Sequence, residues 1–166
     1  DIVYNNLLLN GFLNKKIILK SSGNVWRPII FIEDMCKVIL FFTLCKKRSL
    51  FGTSYNLGMK KGNFKIVEMV KVAKNLIKNC KIIIENSEPD ARDYKISFEK
   101  LYKILPLKYH PKNDLIKGGK KVLSFFKSLD NPAILLEKPH VRIKQLQYLI
   151  NKNKINKKNY RRYEIE

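Results

Sequence analysis

A chain of 166 residues with 45% apolar content has enough apolar side chain for one ordinary core, which excludes the disordered and collagen-like classes. A net charge of +20 raises nucleic acid and anionic membranes as partners, but the lysines are spread through every segment among many Asn and Ile residues, as in a chain of biased composition. The longest apolar run, Val38 to Cys45, is far too short for a bilayer of roughly 30 Å, and the odd set Cys36, Cys45 and Cys80 lacks paired metal spacing and reads as small buried residues of a reducing, cytoplasmic compartment.

The first residues, Asp1-Ile2-Val3-Tyr4, lack the basic and apolar regions of a signal peptide, and the chain starts without Met and within a helical pattern, so a fragment or processed product is expected. Ile2 to Phe12 carries apolar residues at helical spacing, with Gly11 and Asn14 as stop signals. Ile17-Ile18-Leu19 reads as a strand. A glycine turn at Gly23-Asn24 then delivers Trp26 and Arg27, and Pro28 biases Arg27 toward extended backbone. Ile29 to Ile32 reads as a buried strand, and Asp34, or Glu33 with it, as the cap of a helix running to Cys45. The basic loop Lys46-Lys47-Arg48 leads to a predicted strand, Ser54 to Leu57, closed by Gly58.

Asn63 is expected to cap a helix whose stripe Ile66, Met69, Val70, Ala73 and Ile77 faces the core, and Lys81 to Glu85 to form another strand. Pro89-Asp90 marks a turn, Tyr94-Lys95-Ile96 is extended, and Ser97 caps a short helix. Lys112 to Ser128 is helical with a bend at Gly118-Gly119, Asn131 to Pro139 is a loop, and His140 heads a last helix, Val141 to Ile150. Two segments result: a folded part, 1–150, and a basic polar tail, 151–166.

Chemistry is sparse. An arginine held extended beside a tryptophan suits a phosphate group, since its planar fork makes paired charge-assisted bonds; the competing reading of Arg27 is a solvated surface arginine. His110 and His140 have no second ligand set for a metal and no Ser or Cys partner. Tyr148 and Lys152 have a Tyr-x-x-x-Lys spacing, but eight tyrosines among 34 Lys and Arg make such a pair expected by chance. No glycine-rich turn opens a helix to hold a dinucleotide pyrophosphate. Neither a catalytic residue nor a metal or cofactor ligand is therefore assigned.

The order of glycine turn, Arg27, apolar run, Asp34, apolar helix and Tyr55-Asn56-Leu57-Gly58, followed by Asp90, Arg92, Asp93-Tyr94, Ser97-Phe98, Lys100 and Pro106, resembles the extended short-chain dehydrogenase/reductase superfamily, in particular its NAD-dependent epimerases and dehydratases of nucleotide sugars. The resemblance covers roughly Ile2 to Ile150 and implies an α/β fold: the carboxy-terminal part of a Rossmann-type enzyme, helix-rich with short strands, comprising the substrate lobe and elements that return to the nucleotide-binding sheet. It implies that Arg27 contacts a substrate diphosphate, with Arg92 as a second cation, and that Asn5 or Asn6, and Asp90, meet the nucleotide sugar. A surface or helix-start asparagine is the alternative at Asn5 and Asn6, and many members carry the second arginine where this chain has Ser87.

NAD(P) is implied as the cofactor of the full-length enzyme, held by an amino-terminal Rossmann half whose Tyr and Lys do the proton and hydride work, so that this chain alone is expected to be inactive. That half is also an implied partner, relatives commonly form homodimers through it, and without it Val38, Leu40, Phe41 and Phe42 would miss part of their packing. The rivals are a basic module that binds RNA or DNA and an inactive truncated gene product.

Overall fold

The computed structural model describes residues 2–19, 21–85, 92–152 and 154–155. They fall into two compact units, 2–125 and 126 onward. In the first, helix α1 (Val3–Asn14) leads through Lys15, in a left-handed conformation, into strand β1 (Lys16–Leu19). Strand β2 (Trp26–Pro28), helix α2 (Ile32–Leu44), strand β3 (Asn63–Lys65), helix α3 (Ile66–Leu76) and strand β4 (Lys81–Ile84) follow. Helix α4 (Glu99–Tyr102) is a single turn, and helix α5 is Leu115–Lys127.

Two small sheets result. β1 and β4 run parallel, with Ile17 opposite Ile82 and Leu19 opposite Ile84; β2 and β3 run antiparallel, with Arg27 opposite Phe64. The core lies where α1 and α3 pack on β1: Leu8, Ile17, Met69, Val70, Ala73 and Ile77 are all buried. The expected α3 stripe is therefore core. Gly23 makes the turn before β2 at a φ of 67°, where a side chain would be strained, and its carbonyl accepts from the Val67 N–H at 2.9 Å, tying the turn to the start of α3.

A second cluster forms under α2, where Val38, Leu101 and Leu105 are buried and Phe41, Phe42, Tyr55, Leu57, Tyr102 and Tyr109 pack against them. Of the four residues expected to miss part of their packing, Val38 is fully buried in this cluster, Phe41 and Phe42 are half-buried against it, and Leu40 is exposed. Cysteine placement is corrected too: Cys80 is buried, but Cys45 is half-buried and Cys36 exposed.

Several local expectations shift for physical reasons. The strand lies at Trp26–Pro28 rather than Ile29–Ile32, since a short branched apolar run fits a strand or the approach to a helix equally well, and here Ile32 already starts α2. Ser54–Leu57 has no strand partner; side chains hold it instead, Asn56 Nδ2 donating to the Ser97 carbonyl and Lys100 Nζ to the Ser54 carbonyl. Asn63 does not cap α3. Its side-chain amide pairs with the backbone of Ile96 in both directions, at 2.8 and 2.9 Å, as a neighbouring strand would. Glu68 takes over at that helix start by accepting from the Lys65 N–H at 2.7 Å.

In the second unit, a 3-10 turn at Pro132–Leu136 precedes helix α6 (Arg142–Asn151), and Lys138 Nζ lies over the Tyr148 ring. Of the predicted tail, 153 and 156–166 lie outside the described residues.

Gly118-Gly119 is not a bend: α5 runs through it. A Cβ on Gly119 would sit 2.6 Å from Tyr4 Oη and 2.7 Å from Leu76 Cδ1, so the bare backbone is what lets α5 approach α1 and α3. Gly119→Ala is therefore expected to destabilise the chain by about 1–3 kcal/mol in urea unfolding, overpacking outweighing the roughly 1 kcal/mol gained in helix propensity. A bend would predict the opposite sign.

Candidate substrate cavity and the arginine strand

A cavity of about 340 Å³ opens between the start of α1, the segment from Pro28 to Met35, and the start of α5. Its wall is mainly apolar, with Ile29, Ile30, Phe31 and Met35 prominent, and its polar members are Tyr4, Asn5, Asn113 and Asp114. Three of these are engaged in holding the frame. The Tyr4 hydroxyl donates to the Leu115 carbonyl at 2.8 Å, Asn113 Nδ2 donates to Asp34, and Asp114 Oδ1 accepts from the Lys117 N–H at 2.8 Å, capping α5. Burial, with the Asp114 charge adding to it, pushes the Tyr4 hydroxyl well above the usual tyrosine range, so it stays a proton donor. The Asn5 amide is exposed on the wall and has no hydrogen-bond partner among the described residues.

The frame closes on Asp34. Sequence reading makes it a cap, but Phe31 occupies the cap position and Asp34 lies wholly buried in the first turn of α2. Its Oδ2 accepts three hydrogen bonds from across the cavity: from the N–H of Lys112 at 3.0 Å, the N–H of Asn113 at 2.7 Å and Asn113 Nδ2 at 2.9 Å. Oδ1 has no hydrogen bond and faces the Lys37 ammonium at 3.5 Å. Burial alone would raise the carboxyl, but the bonds from Asn113 and Lys112, with Lys37 nearby, outweigh it and hold the carboxyl below its usual range. Glu33, next to it, forms a short contact with Lys121 on α5, so α2 is tied both to the loop before α5 and to α5 itself.

Arg27 lies on β2, the residue before the cavity wall begins at Pro28. Its guanidinium sits 5.3 Å from the centre of the Tyr94 ring, and Nη1 donates to the Trp26 carbonyl at 2.6 Å. The strap Arg92–Ile96 runs beside the antiparallel β2–β3 pair: Asp93 Oδ1 accepts from the Trp26 N–H at 2.7 Å, Lys95 Nζ lies 3.8 Å from the centre of the Trp26 ring, and Ile96 pairs with Asn63. Arg27 and the strap that carries Arg92 thus come together at the β2–β3 pair, and Asn5 stands on the wall that β2 enters. Asn6 is exposed and not part of that wall; its backbone carbonyl accepts from Asn10 Nδ2. Asp90 lies outside the described residues.

Asp34, Asn113 and Tyr4 were not assigned to the site from sequence. Only the Asp93-Tyr94 pair had a signal, by standing next to Arg92.

Chemically, the arrangement can bind and orient, and no acid–base or nucleophilic pair is assigned among the described residues. No group of three or more His, Cys, Asp or Glu suited to a metal occurs among the described residues. Among the described residues no glycine turn leads from a strand into a helix amino terminus, so no dinucleotide ligand or redox step is assigned here. No helix among the described residues is long and apolar enough to cross a membrane.

Removing the Asp34 carboxylate leaves three donors unpaired in the interior, so Asp34→Ala is expected to cost about 3 kcal/mol in urea unfolding at neutral pH. The folded carboxyl titrates below its ordinary 3.8, so its contribution is complete above that pH and is lost as pH falls through the folded value. The difference between parent and variant should shrink accordingly in acid. A constant difference down to the acid transition would contradict this.

Neither a scan against protein-family models nor a search of curated proteins finds a match. Solved structures do match. UDP-glucuronic acid 4-epimerase from Bacillus cereus, in complex with UDP-glucuronic acid and NAD, aligns with a TM-score of 0.63 at 19% identity over 76% of this chain and 40% of that one. UDP-N-acetylglucosamine 4-epimerase from Bacillus cereus aligns at 0.61 and 13% over 79% and 42%. dTDP-glucose 4,6-dehydratase from Bacillus anthracis, in complex with NAD, aligns at 0.59 and 23% over 78% and 40%. The chain thus has the fold of part of the Rossmann-type sugar epimerases and dehydratases, and it spans about two-fifths of the length of these structures.

Proposed function

We propose that the chain is the carboxy-terminal, substrate-binding portion of an NAD(P)-dependent nucleotide-sugar epimerase or dehydratase, and that it does not turn over alone. The observation that carries this reading is the placement of Arg27: its guanidinium lies over the Tyr94 ring, and it shares a strand with the entry to a cavity whose wall carries Asn5. In this assignment Arg27 and Arg92 hold the diphosphate, Asn5 and Asp90 meet the nucleotide sugar, and the apolar wall from Ile29 to Phe31 limits water. The names of the similar structures, two of them 4-epimerases of UDP-sugars, favour the same substrate class. Binding of this kind supplies position and orientation, while the redox chemistry belongs to a cofactor held by other residues.

The test is calorimetric titration of the chain with a uridine or guanosine diphosphate sugar. Losing a charge-assisted fork on the diphosphate should weaken binding of Arg27→Ala by about ten- to a hundredfold. Equal binding by Arg27→Ala and the parent chain would sink the assignment. Affinity that collapses with salt and ignores the sugar would instead favour a nucleic-acid module.

A further inference from the structure

We infer that the bare face of the β1–β4 strand pair is a docking surface for an anionic lipid bilayer, held through a lysine pair and an adjoining isoleucine pair. The inference is independent of the substrate assignment above.

α1 and α3 cover one face of the strand pair, and Ile17 and Leu19 are buried there. On the opposite face Lys16 stands against Lys81 and Ile18 against Ile83, in parallel register. Both lysines are exposed, Ile18 is 49% exposed and Ile83 40%, and Ile84 at the end of β4 is 62% exposed. Parallel strands are normally covered on both faces, so this face is missing a layer. Two like charges set directly opposite each other also repel. Lys15 precedes β1, and Lys74 and Lys78 stand shortly before β4. Burial pushes the Cys80 thiol up while Lys15 and Lys74 oppose it, which places both ammoniums near the end of the sheet that carries Lys16 and Lys81.

Charge in this layer has one sign. No Asp or Glu occurs at positions 2–32 or 69–84, the stretches that hold α1, β1, most of α3 and β4. None of Lys15, Lys16, Lys74, Lys78 and Lys81 has an ion-pair partner among the described residues. Elsewhere acids are interspersed, with Glu33 and Asp34 on α2, Asp93 on the strap and Asp114 at the start of α5. Lysines spread evenly along the sequence are thus concentrated without counter-charge in the fold.

Chemistry selects the occupant. Nucleic acid would answer the lysines, but single strands bind by stacking on aromatic rings and duplexes through their phosphates, and either would leave the isoleucines in water. A second copy would set lysine against lysine. An anionic bilayer surface answers both halves: headgroup phosphates take the ammoniums, and the aliphatic side chains enter the boundary beneath them.

The test is co-sedimentation of the chain with vesicles of phosphatidylcholine, and of phosphatidylcholine mixed equally with phosphatidylglycerol. The chain should follow the mixed vesicles only. Lys16→Glu with Lys81→Glu should weaken that binding by about tenfold or more, and Ile18→Ser with Ile83→Ser by about tenfold. Lys117→Glu with Lys120→Glu on α5 changes the net charge equally and should shift binding by less than about twofold at physiological salt. Amide exchange of the parent chain, read by mass spectrometry, is a second readout that needs no variant: mixed vesicles should slow β1 and β4 and leave α5 unchanged.

Failure to bind the mixed vesicles overturns the inference. Equal loss from the two lysine pairs does so too, since bulk charge alone would then act, as does undiminished binding of the isoleucine variant or protection that spares β1 and β4. Binding of a uridine homopolymer RNA that is weakened by Lys16→Glu with Lys81→Glu, without vesicle binding, would give the face to nucleic acid instead.

Discussion

The arrangement around the cavity depends on one carboxylate. Asp34 is the only buried charged residue among those described, and its Oδ2 gathers three donors from a segment 78 and 79 positions along the chain. The loop 111–114 has no helix or strand of its own, so its backbone donors need an acceptor from elsewhere, and α2 supplies it. A buried carboxylate is costly unless its oxygens are filled, and a loop with unpaired N–H groups is costly too; each solves the other's problem. The consequence is positional. With Asn113 held, Asp114 caps α5, the Leu115 carbonyl meets Tyr4, and α5 is set against the start of α1 with the cavity between.

Gly119 completes that placement by steric means. The same tyrosine that binds Leu115 occupies the space a Cβ would need, so α5 is positioned by an attraction at its first residue and by permitted closeness one turn later. Around the β2–β3 pair the logic is similar. Asp93 ties the strap to the Trp26 N–H, Tyr94 supports the Arg27 guanidinium, and Asn63 stands in for a strand beside Ile96. The cavity and the strand pair are thus both framed by side chains that bond backbone, which fixes geometry without a large sheet.

Local patterns in the sequence disclosed the α1, β1, α3 and β4 elements, because their apolar patterns are strong. The same patterns misplaced the strand near Ile29, since a run such as Ile29-Ile30-Phe31-Ile32 has no period of its own. They put a strand at Ser54–Leu57 where no neighbouring strand pairs, and a bend at Gly118-Gly119 where the reason for glycine sits more than a hundred positions away at Tyr4. Of the candidate site residues, Arg27 stood out through Pro28 and Trp26, and family resemblance added Arg92 and Asn5. Asp34 was visible only as an acid at a helix start, since its three donors announce nothing in the sequence. Long-range pairings of single side chains are the information that periodicity does not carry.

The most direct measurement is amide hydrogen exchange by NMR at Lys112 and Asn113. If Asp34 fastens this loop to α2, both amides exchange as slowly as those in the cores of α1 and α3, although the loop contains no regular structure. Exchange of both at the rate of an exposed coil would contradict the account, because Asp34 would then not fasten this loop to α2.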